Sequence, residues 1–290
     1  MSNKPYKGFE PNWLLTPAPE NSYRSIFRWG DPNFFKYPKE SLYTLMKEKF
    51  QMTDDDFKAY SDDTGFDPVE LPDHPVQLAP EHIDALKAIV GEQNLSTTDY
   101  DRLSVAYGAT AYDLLRLRHK RIDSVPDVVL YPETSEQVEQ IVAYSTEHHI
   151  PLYVYGGGSS VTRGVEPTKG GISLDMRRNF NKVISFNEID QTITVQAGMS
   201  GPDLEKTLQN APELFGAKRQ YTCGHFPQSF EYSSVGGWTV TRGAGQNSTY
   251  YGTIADIVLS QKYATPIGVI QTSHYSREAT GPNLNQIMMG

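Results

Sequence analysis

The sequence predicts an α+β fold of the α/β type, in which mixed sheets with flanking helices follow a mostly helical N-terminal region. Residues 1–122 carry helical patterns or no period, whereas short apolar runs typical of strands begin after residue 123. Two of these runs enclose a helical segment, which indicates a β-α-β unit. Later runs alternate and are joined by turns, which indicates antiparallel hairpins. We therefore expect two domains, residues 1–122 and residues 123–290.

Composition and charge limit the classes of function. With 290 residues, 38% hydrophobic and 21% charged, the chain can build a packed core. The net charge of −9 argues against nucleic acid or an anionic membrane as a partner. No apolar run approaches the ~20 residues of a membrane span, and the N-terminus lacks a signal-peptide core. Because Cys223 is the only cysteine, we expect no internal disulfide and no cysteine metal site. With no peroxisomal signal evident, we predict a cytoplasmic protein.

The N-terminal region combines an arm with short helices. Residues 1–37 are rich in proline, asparagine and aromatic residues without a period, and we interpret them as an extended arm on a partner surface. Trp13 and Trp29 are expected as its buried anchors. Helical patterns follow in S-L-Y-T-L-M-K-E-K-F, in P-E-H-I-D-A-L-K-A-I-V and in A-Y-D-L-L-R-L-R-H-K. Thr53 is expected to cap a further helix, and we interpret Asp54–Asp56 as helix-start charges rather than metal ligands.

The β-α-β unit begins near residue 126. P-D-V-V-L-Y-P is a short strand, and Thr134 with Gln137 forms a predicted capping box. Val138, Ile141, Val142 and Ser145 share one face of the helix that follows, which we expect to end near His148 and His149. P-L-Y-V-Y is the next strand.

The remaining elements are strands, hairpins and one capped helix. G-I-S-L-D-M is a strand, and K-V-I-S-F with I-T-V-Q-A-G predicts a hairpin. Ser200 caps a helix that has Pro202 early and Asp203 in its first turn. I-A-D-I-V-L-S-Q-K-Y-A-T and G-V-I-Q-T predict a second hairpin around Pro266–Gly268.

Glycines follow directly after the strand P-L-Y-V-Y. Gly156–Gly158 can turn with positive φ, so successive backbone N–H groups can form a nest for an anion such as a pyrophosphate. Ser159 and Ser160 add hydroxyls, and Arg163 is a candidate source of charge. Alone, the pattern leaves a purely structural turn open, because it is neither G-x-G-x-x-G nor a Walker loop.

A second glycine-rich stretch runs from Gly224 to Gly245. Ser233 or Ser234 can cap a helix that starts at V-G-G-W, and Gly236 and Gly237 would let an anionic ligand approach that helix N-terminus. Arg242 and the glycines after it form another segment of close approach. Two such stretches in one α/β region suggest an elongated ligand that touches both.

These stretches resemble the FAD-binding domain of the vanillyl-alcohol-oxidase type, also called PCMH-type. The resemblance rests on V-P-D-V-V-L-Y-P, G-G-G-S-S-V, G-H-F-P-Q-S-F-E-Y-S-S-V-G-G-W, T-R-G-A-G, Y-G-T-I-A-D-I-V and T-G-P-N-L-N-Q-I-M-M-G. Y-D-R-L-S-V-A-Y-G and L-L-R-L-R make it most similar to the alkylglycerone-phosphate synthase branch. It covers the chain well from about residue 95 and loosely before that.

The resemblance implies FAD as a non-covalent cofactor and assigns residues to it. The pyrophosphate loop would be Gly156, Gly157, Gly158, Ser159, Ser160 and Val161. The flavin side would be Gln228, Ser229 and Glu231. The wall along the cofactor would be Ser234, Val235, Gly236, Gly237, Trp238, Thr241, Arg242 and Gly245. Relatives carry Asp at the position of Gln228 and Thr at that of Ser159, and Cys223 or His225 stays open as a covalent tether.

The resemblance also implies an activity and its limits. The branch exchanges the acyl group of acyl-dihydroxyacetone phosphate for a fatty alcohol in ether-lipid synthesis, with FAD as a covalent trap and no net redox change. A flavin-linked D-2-hydroxy-acid dehydrogenase or oxidase is the alternative, and a homodimer stays open. The family's catalytic Tyr, His cluster and phosphate-binding Arg residues lie beyond the position of Gly290. We therefore expect a catalytically incomplete N-terminal part, without its cap domain, as a third hypothesis.

Overall fold

The structure, a computed structural model, describes residues 17–26, 29, 39–58, 65–273 and 281–290. The described residues fall into two compact units, one drawn from Met1–Glu70 with Thr110–Ile122 and one from Leu71–Ala109 with Asp123–Gly290. A single domain boundary after residue 122 stays a prediction. The chain passes from one unit to the other at this position, and also at two earlier positions. Most of the predicted arm, including Trp13, lies outside the described residues, and Trp29 is partly rather than fully buried.

The described residues form helices and strands that mostly occur in runs of one type, and the two types alternate between residues 95 and 155. The helices are Glu40–Phe50 (α1), Asp54–Lys58 (α2), Pro80–Val90 (α3), Asp99–Ser104 (α4), Ala111–Arg118 (α5), Ser135–Glu147 (α6), Gly201–Gln209 (α7), Ala211–Phe215 (α8), Val235–Val240 (α9), Ser248–Tyr251 (α10), Ile254–Ile257 (α11) and Leu284–Met288 (α12). The strands are Leu95–Ser96 (β1), Val128–Leu130 (β2), Leu152–Tyr155 (β3), Ile172–Asp175 (β4), Val183–Asn187 (β5), Thr192–Val195 (β6), Lys262–Thr265 (β7) and Gly268–Gln271 (β8). Short 3-10 turns occupy Tyr23–Ile26, Glu92–Asn94 and Phe230–Tyr232.

The regular elements of the first unit, within its described residues, are helices, whereas the predicted helical region 1–122 also contains the short strand β1. The Thr53 hydroxyl accepts the Asp56 N–H (3.4 Å) and caps α2. Asp54 pairs with Lys47 at 2.6 Å, and no group of three potential metal ligands occurs among the described residues. The periodic apolar residues of α1 are not covered, because Leu42 and Leu45 remain nearly half exposed.

The core of the second unit is a four-stranded sheet in the order β1-β2-β4-β3. The predicted β-α-β unit is present as β2, α6 and β3, but β4 lies between its two strands and is parallel to both. All four residues of β4 are buried, which suits the central position of a covered parallel sheet. Helices α3 and α6 pack on this sheet through Leu86 and Ile141.

The caps and hairpins agree with the sequence in part. The Thr134 hydroxyl accepts the Gln137 N–H, whereas the Gln137 amide accepts the Glu133 N–H, one residue before the cap. The hairpin of β5 and β6 is confirmed. The second hairpin is shorter than predicted: its first strand is only β7, and Ile254–Ile257 is helical because Thr253 and Asp256 form a capping box.

Among the described residues, no helix combines the length and the apolar character that crossing a lipid bilayer requires.

Candidate cofactor site

The glycine loop lies at the carboxyl edge of the parallel strands. Strands β2, β3 and β4 run in one direction, so Tyr131, Tyr155 and Asp175 mark the same end of the sheet. The loop Gly156–Val161 leaves β3 at this edge. Ligands of open α/β sheets bind at the carboxyl ends of the strands, which makes this edge the candidate site.

The three loop glycines pack against protein. A Cβ atom at Gly156 would meet the Ser234 hydroxyl, and one at Gly157 would overlap the Tyr232 carbonyl. Gly158 has φ +68°, and its missing side chain leaves room for the Tyr155 hydroxyl. The two glycine-rich stretches predicted to share a ligand are therefore in direct contact. Packing alone accounts for the absence of side chains at these positions.

The backbone N–H groups of the loop are available to a ligand, although protein atoms fill the space beside the glycines. Within the described part of the chain, the N–H groups of Gly157 through Val161 have no protein acceptor. The loop is ordered by other atoms: the Ser160 carbonyl accepts the Ala109 N–H at 2.8 Å, and the Ser160 hydroxyl accepts the N–H groups of Thr162 (3.4 Å) and Gly164 (3.3 Å). A fixed loop with a run of unpaired N–H groups is the arrangement of an anion nest.

Helix α9 differs from the glycine loop, because the first N–H groups of the helix already have protein acceptors. Val235 donates to the Met199 carbonyl at 2.9 Å, and Gly236 donates to the Ala197 carbonyl at 2.8 Å. Gly237 donates to the hydroxyl of the capping residue Ser234 at 3.2 Å. Gly236 lacks a side chain because a Cβ atom would lie 2.7 Å from that of Ala197. The expected anion contact at this helix N-terminus therefore has no free donor among these three residues.

Trp238 anchors the wall that α9 forms. Its indole N–H donates to the Ser233 hydroxyl at 2.6 Å, and that hydroxyl donates to the Ser229 carbonyl at 2.7 Å. The His225 ring contacts the Trp238 ring edge-on at 4.9 Å. His225 is 1% exposed, and neither of its ring nitrogens has a partner among the described residues. Burial lowers the pKa of His225 below its ordinary value, so the imidazole is neutral at pH 7.

Cys223 is a poor candidate for covalent attachment. Burial raises the pKa of its thiol to about 12, and its Sγ donates to the His225 carbonyl at 3.4 Å. The thiolate, which is the reactive form, is therefore scarce at neutral pH.

Of the other residues that the resemblance assigns to FAD, some have exposed side chains and some are already bonded to or packed against protein. Gln228 and Glu231 are exposed, and no described residue bonds to their side chains. The Thr241 hydroxyl donates to the Gly237 carbonyl at 2.8 Å. Arg242 donates to the Gln286 carbonyl (2.8 Å) and side chain (3.0 Å), whereas Gly245 packs on the backbone of Phe226.

The expected positive charge at Arg163 is already paired. Its guanidinium donates to both Glu166 carboxylate oxygens, at 2.5 and 2.8 Å, and Glu166 is buried. Arg163 therefore orders the end of the loop and brings little net charge to it.

Sequence reasoning missed a polar cluster directly after β4. The Asp175 carboxylate accepts hydrogen bonds from Arg177 Nε at 3.0 Å and Nη2 at 2.6 Å. The Arg177 guanidinium stacks 4.6 Å from the centre of the Tyr155 ring. The signal was present in S-L-D-M-R-R, which places an acid and two arginines where a buried strand ends at the same sheet edge as the glycine loop.

Comparisons with known proteins point to one cofactor class. The FAD binding domain family matches residues 126–273. Alkyldihydroxyacetonephosphate synthase of Dictyostelium discoideum is 30% identical over 264 residues, which are 89% of this chain and 42% of that protein. A mitochondrial cytochrome D-lactate dehydrogenase of Arabidopsis thaliana is 30% identical over 74% of this chain and 35% of its own length.

A comparison with solved structures finds the same kind of relative. A structure of alkyldihydroxyacetonephosphate synthase superposes with a TM-score of 0.69 at 28% identity, covering 77% of this chain and 39% of that chain. The chain thus spans less than half the length of the relatives it matches.

Proposed function

We infer that the glycine loop holds the diphosphate of FAD without a covalent bond. The premise is that this chain belongs to the FAD binding domain family. The run of unpaired N–H groups from Gly157 to Val161 carries this proposal. Five donors fixed in one loop suit the oxygens of a diphosphate, and they do so in a chain of net charge −9. The hydroxyl of Ser159, which has no protein partner among the described residues, adds a sixth donor.

The second glycine-rich stretch serves as a wall along the cofactor. In this proposal Ser234, Gly237, Trp238 and Thr241 shape the surface against which FAD lies, while the capped N-terminus of α9 contributes packing. Gln228, Ser229 and Glu231 line the flavin side, with the exposed side chains of Gln228 and Glu231 free to turn toward the ring. The raised pKa of Cys223 favours a non-covalent complex.

The activity that fits best is the exchange of an acyl for an alkyl group on acyl-dihydroxyacetone phosphate. Similarity to alkyldihydroxyacetonephosphate synthases in both sequence and structure supports it. When bound, FAD supplies the covalent chemistry of the exchange, which has no net redox change. The residues of this chain bind and orient the cofactor and keep water from its diphosphate. The cytoplasmic location and the homodimer stay predictions of the sequence.

Oxidation of a D-2-hydroxy acid is the second candidate. The similarity to a D-lactate dehydrogenase favours it, because the same loop and wall would hold FAD in either enzyme. The two reactions differ in substrate and in net electron transfer.

An assay on the protein expressed from its complete natural gene separates the two reactions. The protein is incubated with acyl-dihydroxyacetone phosphate and a labelled long-chain alcohol, and separately with D-lactate or glycolate and an electron acceptor. We expect label in an alkyl ether product and release of the fatty acid. Acceptor reduction by the hydroxy acids, with no labelled ether, would overturn the synthase proposal.

The same assay on variants tests the role of the glycine loop. Gly157→Ala should lower product formation. Gly164→Ala, whose added Cβ lies 3.8 Å from its nearest neighbour, is the matched control.

A further inference from the structure

Two consecutive arginines follow the central strand of the sheet, and each covers a tyrosine at the end of a neighbouring strand. The Arg177 guanidinium lies 4.6 Å from the centre of the Tyr155 ring, at the end of β3. The Arg178 guanidinium lies 4.6 Å from the centre of the Tyr131 ring, directly after β2. Because β4 lies between β2 and β3, the turn after it can reach both strand ends. The carboxyl edge of the sheet therefore carries two guanidinium groups.

Arg177 is held in place by Asp175. Asp175 is 3% exposed and accepts Arg177 Nε, Nη2 and backbone N–H at 3.0, 2.6 and 2.9 Å. Burial of the Arg177 guanidinium lowers its pKa, but the hydrogen bond to Asp175 and the electrostatic interactions with Tyr155, Asp175 and Tyr131 together outweigh burial, so the pKa is raised on balance. Its Nη1 has no acceptor among the described residues, and its side chain is 40% exposed. Asp175 offsets much of the Arg177 charge, as Glu166 does for Arg163, but the fixed guanidinium keeps a donor for a ligand.

Arg178 has its whole charge available. Its side chain is exposed, and no carboxylate of the described residues lies within ion-pair distance of it. The other two arginines near the glycine stretches are engaged, Arg163 by Glu166 and Arg242 by Gln286. Arg177 and Arg178 are the arginines that directly follow β4 at the carboxyl edge, and both keep hydrogen-bond donors for a ligand.

The Tyr155 side chain connects the arginines to the glycine loop. It is 1% exposed, its ring packs under Arg177, and its hydroxyl fills the space beside Gly158. Arg177 and the nest of N–H groups thus lie around one buried side chain. In a chain of net charge −9, local cations would strengthen the binding of an anion that the N–H donors already hold.

We propose that Arg177 and Arg178 form a cationic edge that binds the diphosphate of the cofactor, with Asp175 as the positioning residue for Arg177. The inference rests on the proposed function, since it assigns residues toward the same cofactor. Guanidinium groups suit this role because their fixed fork of donors pairs with phosphate oxygens, and stacking on tyrosine limits their motion. Within this edge, Arg178 supplies the charge that Arg163 was expected to bring, and Arg177 supplies an oriented donor.

Binding measurements on the chain test the proposal. FAD affinity is measured by flavin fluorescence and ADP affinity by calorimetry, for wild type, Arg177→Gln, Arg178→Gln and the double variant. We expect each single change to weaken FAD and ADP binding about tenfold, the double change to weaken it further, and the salt dependence to become shallower. Asp175→Asn should weaken FAD binding while leaving the effect of Arg178→Gln intact. Arg219→Gln is the matched control, because Arg219 also stacks on a tyrosine, Tyr221, away from this edge.

The outcomes separate this inference from the proposed function. Wild-type chain that binds neither FAD nor ADP would overturn both. Wild type that binds FAD, with both glutamine variants binding it equally well and with unchanged melting temperatures, would overturn the inference alone. The same holds if the variants lose affinity for dihydroxyacetone phosphate but not for ADP, since the edge would then serve a substrate phosphate. Arg178 is exposed, so Arg178→Gln is expected to fold and keeps the test decisive.

Discussion

Gly157 is the residue at which packing and binding meet most closely. An added Cβ would overlap the Tyr232 carbonyl and lie 2.5 Å from the Ser233 Cα. Neither backbone atom can move without shifting the N-cap of α9. We predict that Gly157→Ala lowers the free energy of unfolding by about 1–3 kcal/mol, the usual cost of overpacking, together with FAD affinity. Denaturant unfolding measures the first effect and fluorescence titration the second.

Gly164→Ala provides the control for that prediction. Gly164 lies three residues after the loop, and its added Cβ would contact only the Ser160 hydroxyl at 3.8 Å. Its stability should stay within about 0.5 kcal/mol of wild type, as for most uncrowded surface changes. Equal losses in the two variants would contradict close packing at Gly157 as the cause.

His225 makes the stability of the second unit depend on pH. Its burial lowers its pKa, whereas the unfolded chain binds a proton at this side chain near pH 6.5. Below about pH 6.5 the unfolded state therefore binds more protons than the folded state. The part of the free energy of unfolding that depends on a neutral His225 is lost as pH falls toward the pKa of His225 in the folded protein. That part is fully present above the pKa of this side chain in the unfolded chain. We predict that His225→Gln flattens the fall in melting temperature between about pH 6.5 and pH 5.

The control for His225→Gln is the same variant compared with wild type above about pH 7, where the buried imidazole is neutral. There the two melting temperatures should differ by a constant amount, whereas between about pH 6.5 and pH 5 the difference should change. A His225→Gln profile that runs parallel to wild type across this interval would show that the buried imidazole does not govern the effect.

At the scale of elements, α9 depends on its cap. The Ser234 hydroxyl accepts the Gly237 N–H, and helix formation puts two glycines in the first turn, where they disfavour a helix. We predict that Ser234→Ala lowers the free energy of unfolding by about 1 kcal/mol. Ser159→Ala, which removes a hydroxyl with no protein partner among the described residues, should leave stability unchanged. A loss that is the same in both variants would speak against the cap.

Element boundaries follow from the sequence where a local signal dominates. Thr53, Thr134 and Ser200 mark the starts of α2, α6 and α7 because their hydroxyls accept N–H groups of the first turn. The place of β4 between β2 and β3 does not follow, since strand order is set by nonlocal pairing. The helical segment α11 was mistaken for strand because four apolar-rich residues fit either period, and Asp256 at the third position after Thr253 decided the outcome.

At the scale of the whole molecule, the sequence indicates the region of the candidate site but not the atoms that are available to a ligand. Spacing and resemblance placed the glycine loop near the Ser233–Ser234 stretch, and the contact of Gly156 with Ser234 agrees with that. Which donors are free depends on partners far along the chain: Met199 and Ala197 occupy the N–H groups of α9, and Glu166 occupies Arg163. The Arg177–Tyr155 stack likewise requires the sheet order that the sequence leaves open.

In the proposed complex, FAD is held by the loop amides rather than by the N-terminus of α9. Amide NMR on the isotope-labelled chain, titrated with FAD, tests it most directly. We predict that the largest shifts occur at the N–H groups of Gly157 through Val161, while Val235, Gly236 and Gly237, whose N–H groups already have protein acceptors, shift little. Saturating FAD that leaves the loop amides unmoved, or that moves only those of α9, would contradict the account.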